Sequence, residues 1–276
     1  MTILCIIGPT ASGKSARAVE SALAQGGEVI SVDSRQVYRT LDIGTEKISH
    51  EEARGVPHHL IDIRDPEESY SAGDFVADAT RLIGEIHARG KLPILVGGTH
   101  FYFDALINEL PASVPPNPAL RRELAAVPYM ELYEMVKKKD PRRAKELDPN
   151  NRRRLVRALE IIDALGTVPT RVAHKKIIDP EMEITWVAVN PPPAELKQRI
   201  EARLKAALAR GLVEEVRRVQ ERVGEARLRE FGLEYKVVGE HLRGERAEAS
   251  LLPALSAKLW QYARNQKAWL KKLTSP

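Results

Sequence analysis

The segment Gly8-Pro9-Thr10-Ala11-Ser12-Gly13-Lys14-Ser15 fits the pattern G-x-x-x-x-G-K-[ST], and it stands between an apolar run, residues 3–7, and a helix-forming stretch, residues 15–24. No other feature constrains the fold as much. A loop of this kind curls its backbone N–H groups around phosphate oxygens, and it needs a strand to deliver it and a helix N-terminus to continue it. Lys14 adds a full positive charge, and the Ser15 hydroxyl is placed for a Mg²⁺ that bridges phosphate oxygens. The loop type serves ATP-binding and other nucleotide-binding proteins, so it predicts a phosphate ligand without naming the reaction.

Three more short apolar runs, residues 29–32, 94–96 and 184–189, read as buried parallel strands. Before the third strand, Phe75, Ala79, Leu82, Ile83 and Ile86 repeat at helical spacing. Alternating strand and helix predicts an α/β fold, a P-loop NTPase-like parallel sheet flanked by helices. After Leu110 the prolines 111, 115, 116 and 118 break the pattern, and residues 120–170 carry helical periodicity and basic clusters without a strand. The expected organisation is a first core part over residues 1–110, a helical insertion over 111–176, and a return to the core with C-terminal helices over 177–276.

Composition excludes some classes. No run in the 276 residues approaches the roughly 20 apolar positions that span a bilayer, so no membrane partner is expected. The lone cysteine, Cys5, lies inside the first strand, which rules out an intrachain disulfide and a cysteine zinc cluster and suits a reducing, cytoplasmic compartment. A net charge of +5 favours a polyanionic partner without identifying one.

NTP-hydrolysing P-loop proteins usually hold Mg²⁺ with an Asp at the end of an apolar strand, yet residues 94–96 run into Gly97-Gly98-Thr99. The available acid is Asp33, which closes the strand at 29–32. Ligands of open α/β sheets bind beyond the carboxyl ends of the strands, so Gly8, Asp33 and Thr99 are expected to meet in one cleft. Taken alone, Asp33 also fits a helix cap and Thr99 a local turn. The loop equally suits a small-molecule kinase, and the charge suits a non-catalytic RNA-binding protein.

The resemblance that narrows these choices runs over nearly the whole chain. It comprises the phosphate loop, Asp33-Ser34-Arg35-Gln36-Val37-Tyr38, Gly44-Thr45-Glu46-Lys47, Pro57-His58-His59-Leu60-Ile61-Asp62, Tyr70-Ser71-Ala72 with Phe75, Gly97-Gly98-Thr99, Arg154 with Arg157-Ala158-Leu159-Glu160, and Tyr262-Ala263-Arg264-Asn265-Gln266-Lys267-Ala268-Trp269. On these motifs the chain resembles the tRNA dimethylallyltransferase family, also called tRNA isopentenyltransferases, in its bacterial form. It departs from the family at Glu46, where Ala is commoner, at His100-Phe101, at Asn265, and in Phe231-Gly232-Leu233-Glu234-Tyr235, which fits its motif loosely.

The resemblance implies transfer of a dimethylallyl group from dimethylallyl diphosphate to the exocyclic N6 of the adenosine 3′ of the anticodon, with Mg²⁺ as cofactor and a monomeric enzyme acting on the anticodon stem-loop. That amine is a poor nucleophile, and Asp33 is the candidate base. Lys14, Thr10, Ser12 and the loop amides would hold the departing diphosphate, and Thr99 would stand against the RNA at the reaction centre. Asp33, Ser34, Arg35, Gln36, Thr99, Arg121, Arg153, Arg154 and Arg157 are the expected tRNA contacts. Asp148-Pro149 reads as the start of the basic helix. His58-His59 lacks a third ligand and is assigned no metal, while Trp260 and Trp269 are expected to pack the terminal helix.

Overall fold

The computed structural model describes residues 2–108, 114–170 and 182–274, with side chains through Leu270. In chain order the elements are β1 (Thr2–Ile7), α1 (Lys14–Gln25), β2 (Gly27–Val32), α2 (His50–Ala53), β3 (His58–His59), α3 (Ala72–Ala88), β4 (Leu92–Gly97) and α4 (His100–Ile107). There follow α5 (Pro118–Leu124), α6 (Tyr129–Lys139), α7 (Pro141–Lys145) and α8 (Arg152–Leu165). The chain then continues through β5 (Glu183–Ala188), α9 (Pro193–Ala209), α10 (Leu212–Leu228), α11 (Leu233–Leu242) and α12 (Leu251–Thr274). It divides into two compact units, Met1–Ile107 with Ile178–Pro276, and Asn108–Ile177. The expected boundaries at 110/111 and 176/177 lie outside the described residues.

The sheet of the first unit has the order β3-β2-β4-β1-β5, and every pairing is parallel. Parallel strands buried on both faces read as unbroken apolar runs, and the two faces separate residue by residue. Ile3, Cys5 and Ile7 of β1, with Ile30, Val32 and Leu95, pack with Phe75, Ala79 and Ile86 of α3 and with residues of the C-terminal helices. Leu4 and Ile6, with Val29, Ile94 and Val96, pack on Ala18, Val19 and Ala22 of α1. Burial pushes the Cys5 thiol up to about 12, which keeps it a protonated core group. Helix α3 begins three residues before its first apolar anchor because Ser71 and Asp74 form a capping box.

His58-His59 forms a short edge strand. Nδ1 of His58 lies 2.8 Å from the Val56 carbonyl, and Nε2 of His59 lies 2.7 Å from the buried Glu28 carboxylate. Burial would raise the Glu28 pKa, but hydrogen bonds from Arg89, His59 and Lys91 bring it to about 2.

The link between β2 and α2 hangs on a residue of α10. Glu215 is 2% exposed, and its carboxylate accepts the backbone N–H groups of Asp42 (2.9 Å), Ile43 (2.7 Å) and Gly44 (2.9 Å) and the Tyr235 hydroxyl (2.8 Å). A Cβ on Gly44 would lie 2.8 Å from the Tyr235 ring, so only glycine lets the loop approach. Lys47 closes the same loop, donating to the Tyr38 carbonyl (2.9 Å), Asp42 (2.6 Å) and Asp62 (2.6 Å).

The second unit has its own core, in which Leu124, Leu132, Val136, Leu155, Leu159 and Ile162 are buried together. The basic helix does not start at Asp148-Pro149. Asn151 is the cap, accepting from Arg154 N, while Asp148 accepts from Asn150 N in a turn ahead of it. Arg152, Arg153 and Arg154 therefore form the first turn itself.

Replacing Glu215 by Ala leaves three buried N–H groups without an acceptor, so the Glu215→Ala variant should lose on the order of 3 kcal/mol of stability in urea unfolding. Loss of less than about 1 kcal/mol would show that the loop finds other acceptors.

Candidate functional site

Strand order sets the site. Because β2, β4 and β1 are neighbours, the loops leaving their carboxyl ends lie side by side, and these are the loops that carry Asp33, Gly98-Thr99 and the phosphate motif. They line a cavity of about 640 Å³ together with residues 44–48 and parts of α9, α11 and α12. Of the residues singled out in sequence, Thr10, Ala11, Ser12, Gly13, Lys14, Ser15, Asp33, Ser34, Arg35, Gln36 and Thr99 line it. Gly8 and Pro9 stand behind the lining. A Cβ on Gly8 would meet Ser12 Oγ and the Val189 carbonyl, both at 2.6 Å, and the Pro9 carbonyl accepts from Lys14 Nζ at 3.3 Å. Arg121, Arg153, Arg154 and Arg157 belong to the helical unit.

The phosphate loop is preformed. Gly13 has φ 92° and caps α1 without a side chain, so the first-turn amides of this 12-residue helix have no side-chain acceptor. Such a turn carries orphan donors and the positive end of the helix dipole. Ser12 Oγ is buried and unpartnered among the described residues. An orphaned hydroxyl and uncapped amides around Lys14 fit an anionic ligand. The Lys14 ammonium is lowered to about 8, first by burial, against which Asp33 works, and further by the nearby Arg203 guanidinium.

Asp33 caps a turn rather than a helix, and its two oxygens stand in different surroundings. Oδ1 accepts the N–H groups of Arg35 (2.7 Å) and Gln36 (3.2 Å) and caps the turn. Oδ2 has no hydrogen-bond partner among the described residues. The Thr99 hydroxyl accepts from Ser34 N at 3.3 Å, which ties the loop after β4 to the loop after β2. Gln36 is held on every side: its amide donates to the Thr45 and Glu46 carbonyls, both at 3.1 Å, and its oxygen accepts from Ser31 Oγ at 2.9 Å.

Residues that the sequence reading passed over complete the wall. Arg203 of α9 donates to the Thr10 hydroxyl and, at 3.1 Å, to Glu234, with Glu46 3.6 Å from its Nε. That Nε is buried and makes no hydrogen bond. Arg199 donates to the Ser12 carbonyl at 3.0 Å. Burial raises the Glu234 pKa, against the pull of Arg203. The loosely matching motif thus contributes directly, since Phe231, Gly232, Leu233 and Glu234 all line the cavity. Helical spacing marks α9 as amphipathic but does not reveal that Arg199 and Arg203, four residues apart, face a loop nearly 190 residues earlier.

Tyr262 also lines the cavity, its hydroxyl pushed up to about 12 by burial and then by Asp33. Trp269 departs from the expected packing. It is 46% exposed, with its ring 6.3 Å from that of the buried His100. Burial, aided by Lys14, lowers His100 to about 4, so the imidazole is neutral at pH 7.

In the helical unit, sequence suggested a basic face, and the structure adds its counter-charge. Glu160, 1% exposed, accepts from Asn117 N (2.8 Å), from Arg121 through Nε (2.7 Å) and Nη2 (3.1 Å), and from Arg157 (3.2 Å). Burial would raise its pKa, yet these donors hold it below the usual carboxylate range. Arg157 also donates to the Val114 carbonyl at 2.6 Å, and Arg152 caps carbonyls of residues 124, 125 and 127. Arg153 and Arg154 are exposed and have no partner among the described residues.

The family model for IPP transferase matches residues 36–273. The chain is 41% identical over 278 aligned positions to the tRNA dimethylallyltransferase of Thermomicrobium roseum, covering 98% of this chain and 84% of that protein. It is 40% identical to the one from Anaeromyxobacter dehalogenans, covering 99% and 92% of the two. Among solved structures it resembles the tRNA isopentenylpyrophosphate transferase of Bacillus halodurans, with a TM-score of 0.72, 36% identity and coverage of 98% and 86%. It also resembles a eukaryotic dimethylallyltransferase acting on tRNA, with a TM-score of 0.82, 28% identity and coverage of 98% and 69%. The family match opens at Gln36, so the phosphate loop and Asp33 precede it and their assignment rests on the geometry above. With that geometry and near-full-length similarity to both relatives and structures, the chain belongs to the IPP transferase family, that of the tRNA dimethylallyltransferases.

Proposed function

We propose that the protein transfers a dimethylallyl group from dimethylallyl diphosphate to the exocyclic N6 of the adenosine immediately 3′ of the anticodon in tRNA, giving N6-dimethylallyladenosine. One observation carries the reading: a preformed phosphate loop and a carboxylate with a free oxygen line the same cavity at the ends of neighbouring strands. A donor diphosphate on Gly13, Lys14 and the first turn of α1 would present its allylic carbon to a nucleophile beside Asp33.

In that arrangement the N6 lone pair forms a bond to the allylic carbon while the carbon–oxygen bond to diphosphate breaks, and the oxygen keeps the electron pair. The N6 proton passes to Asp33 Oδ2, whose partner oxygen is pinned by two amides and so keeps the carboxylate oriented. Lys14, Arg203 and the uncapped amides of α1 meet charge that grows on the leaving oxygens. Thr99, fixed through Ser34, stands at the adenine side. The Ser15 hydroxyl lines the cavity and has no partner among the described residues, so it fits a Mg²⁺ ligand. Such an ion would supply Lewis-acid charge to the diphosphate.

For tRNA, the exposed Arg153 and Arg154 are the cations available for backbone phosphates, while Arg121 and Arg157 carry the scaffold beneath them through Glu160. In the first unit Ser34 and Arg35, which line the cavity, are the candidate RNA contacts. In this reading the enzyme acts in the cytoplasm as a monomer; the buried, protonated Cys5 suits a reducing compartment, and among the described residues no helix is long and apolar enough to cross a membrane.

Asp33→Ala should slow single-turnover alkylation by about 10² to 10⁴ with donor affinity retained, as read by mass spectrometry of tRNA nucleosides; near-normal turnover would remove Asp33 as the base. Lys14 attracts the donor only while protonated, so affinity for dimethylallyl diphosphate should weaken by about tenfold or more as pH rises through about 8. The Lys14→Arg variant should not show this fall, because a guanidinium stays charged. Full activity in excess chelator would refute the Ser15–Mg²⁺ assignment. Arg153→Ala combined with Arg154→Ala should lower the salt slope of tRNA binding by roughly one unit or less per lost contact, with circular dichroism unchanged. Arg121→Ala should act instead on the stability of the helical unit.

A further inference from the structure

The closing motif lies on α12 (Leu251–Thr274). Leu259, Tyr262 and Gln266 all line the cavity, and their spacing of three and then four residues places them on one helix face. Gln266 is 4% exposed, and it touches two of the three site loops at once. Its Oε1 accepts the N–H of Thr10 at 2.8 Å, and its Nε2 donates to the carbonyl of Gly98 at 2.9 Å. A Cβ on Gly98 would lie 2.5 Å from Gln266 Nε2, so the glycine there leaves the space that the amide fills.

We infer that Gln266 is a positioning residue that couples the phosphate loop to the acceptor-side loop, so that occupancy of one is felt by the other. This rests on the reading of the cavity as a site for a diphosphate donor and an RNA acceptor.

The connection is continuous. Thr10 belongs to the loop after β1, and Gly98 precedes Thr99 in the loop after β4. The Thr99 hydroxyl in turn accepts from Ser34 N, next to Asp33. One carboxamide and one hydroxyl thus link all three loops in series, from the donor cradle to the base. A carboxamide suits the first link because it offers an acceptor and a donor on one planar group. Leaving either the Thr10 N–H or the Gly98 carbonyl without its partner in this buried place is costly, so the two loops move together or not at all. Trp269, one turn further on, packs its ring against His100, and so brings the same helix against the residue that follows Thr99. A shift of the cradle when diphosphate binds is then passed to Thr99 through an element that belongs to neither loop. Because a coupling free energy is reciprocal, RNA bound at the acceptor side must tighten diphosphate by the same factor that diphosphate tightens RNA.

The test compares the affinity of inorganic diphosphate, by calorimetry on the full chain, with and without a saturating anticodon stem-loop RNA. The unaltered protein should bind diphosphate about 5- to 150-fold more tightly with RNA present. Gln266→Met keeps the shape without the polar atoms, and Gln266→Glu keeps the acceptor for Thr10 while losing the donor to Gly98. Both should bring that ratio close to one and lower kcat about tenfold or more; each variant's ratio is taken against its own affinity without RNA, so a change in that affinity does not enter it. Hydrogen exchange at the Thr10 amide of the unaltered chain reads the same link without a substitution, and protection there should rise when RNA binds. A ratio of one in the unaltered protein, a ratio unchanged in the variants, or Thr10 protection indifferent to RNA would each overturn the proposal. Alkylation of the stem-loop by the unaltered protein is assayed alongside: its absence would refute the reaction itself, whereas its presence with unchanged ratios would refute the role of Gln266 alone.

Discussion

Desolvating a carboxylate costs several kcal/mol unless donors replace the water it loses, and Glu215 meets that cost by gathering four of them from a loop about 170 residues earlier and from Tyr235. The consequence reaches the site by a short chain of bonds. With residues 42–44 pinned, the Thr45 and Glu46 carbonyls are placed to hold the Gln36 amide. Gln36 in turn keeps its own N–H on Asp33. Glu46 and Asp62 adopt left-handed backbone, φ 52° and 56°, which costs a non-glycine residue on the order of 1 kcal/mol each. The hydrogen bonds around Glu215 and Lys47 are what make such a loop tenable.

Charge in the cavity alternates. Lys14 and Arg203 repel, which helps to lower the Lys14 pKa, and Asp33, Glu46 and Glu234 stand among them. Cations held by carboxylates rather than by solvent are already in place when an anion arrives, so little reorganisation remains for the moment of bond breaking. Glu46 stands at a position where the family resemblance leads one to expect Ala. In this chain its carboxylate takes Arg210 at 2.9 Å and approaches Arg203, so part of the cationic wall is neutralised before any ligand binds.

What could be read from sequence was what local pattern encodes. Apolar runs before Gly8, Asp33 and Gly97 mark the strands, and because ligands of open α/β sheets bind beyond strand ends, Gly8, Asp33 and Thr99 were expected in one cleft. The contacts of Arg203, Gln266 and Glu215 were not legible for a common reason. Each lies on a helix whose periodicity records only that one face is buried, and what that face meets is decided by tertiary packing. The basic helix shows the same limit in a sharper form: its arginines stand out in the sequence, but nothing local tells that Glu160 is buried and occupies two of the region's guanidinium groups. Asp148-Pro149 misled because it satisfies the local rule for a helix start, whereas Asn151, three residues on, satisfies it as well and is the one the tertiary structure uses.

The order of the strands also bears on how the chain comes off the ribosome. Of the five strands β1 is made first, yet its two neighbours are β4, about 90 residues later, and β5, about 180 residues later. At a synthesis rate of roughly 5 to 20 residues per second, β1 waits on the order of ten seconds or more for its last partner. Throughout that interval Ile3, Ile6 and Ile7 belong to a strand without both edges paired, in a sheet whose pairings all join segments far apart in sequence and so form slowly. Nascent protein therefore passes through a window in which its most apolar segment is open to other chains, and the demand it places on chaperones is set by strand order rather than by the stability of the finished fold.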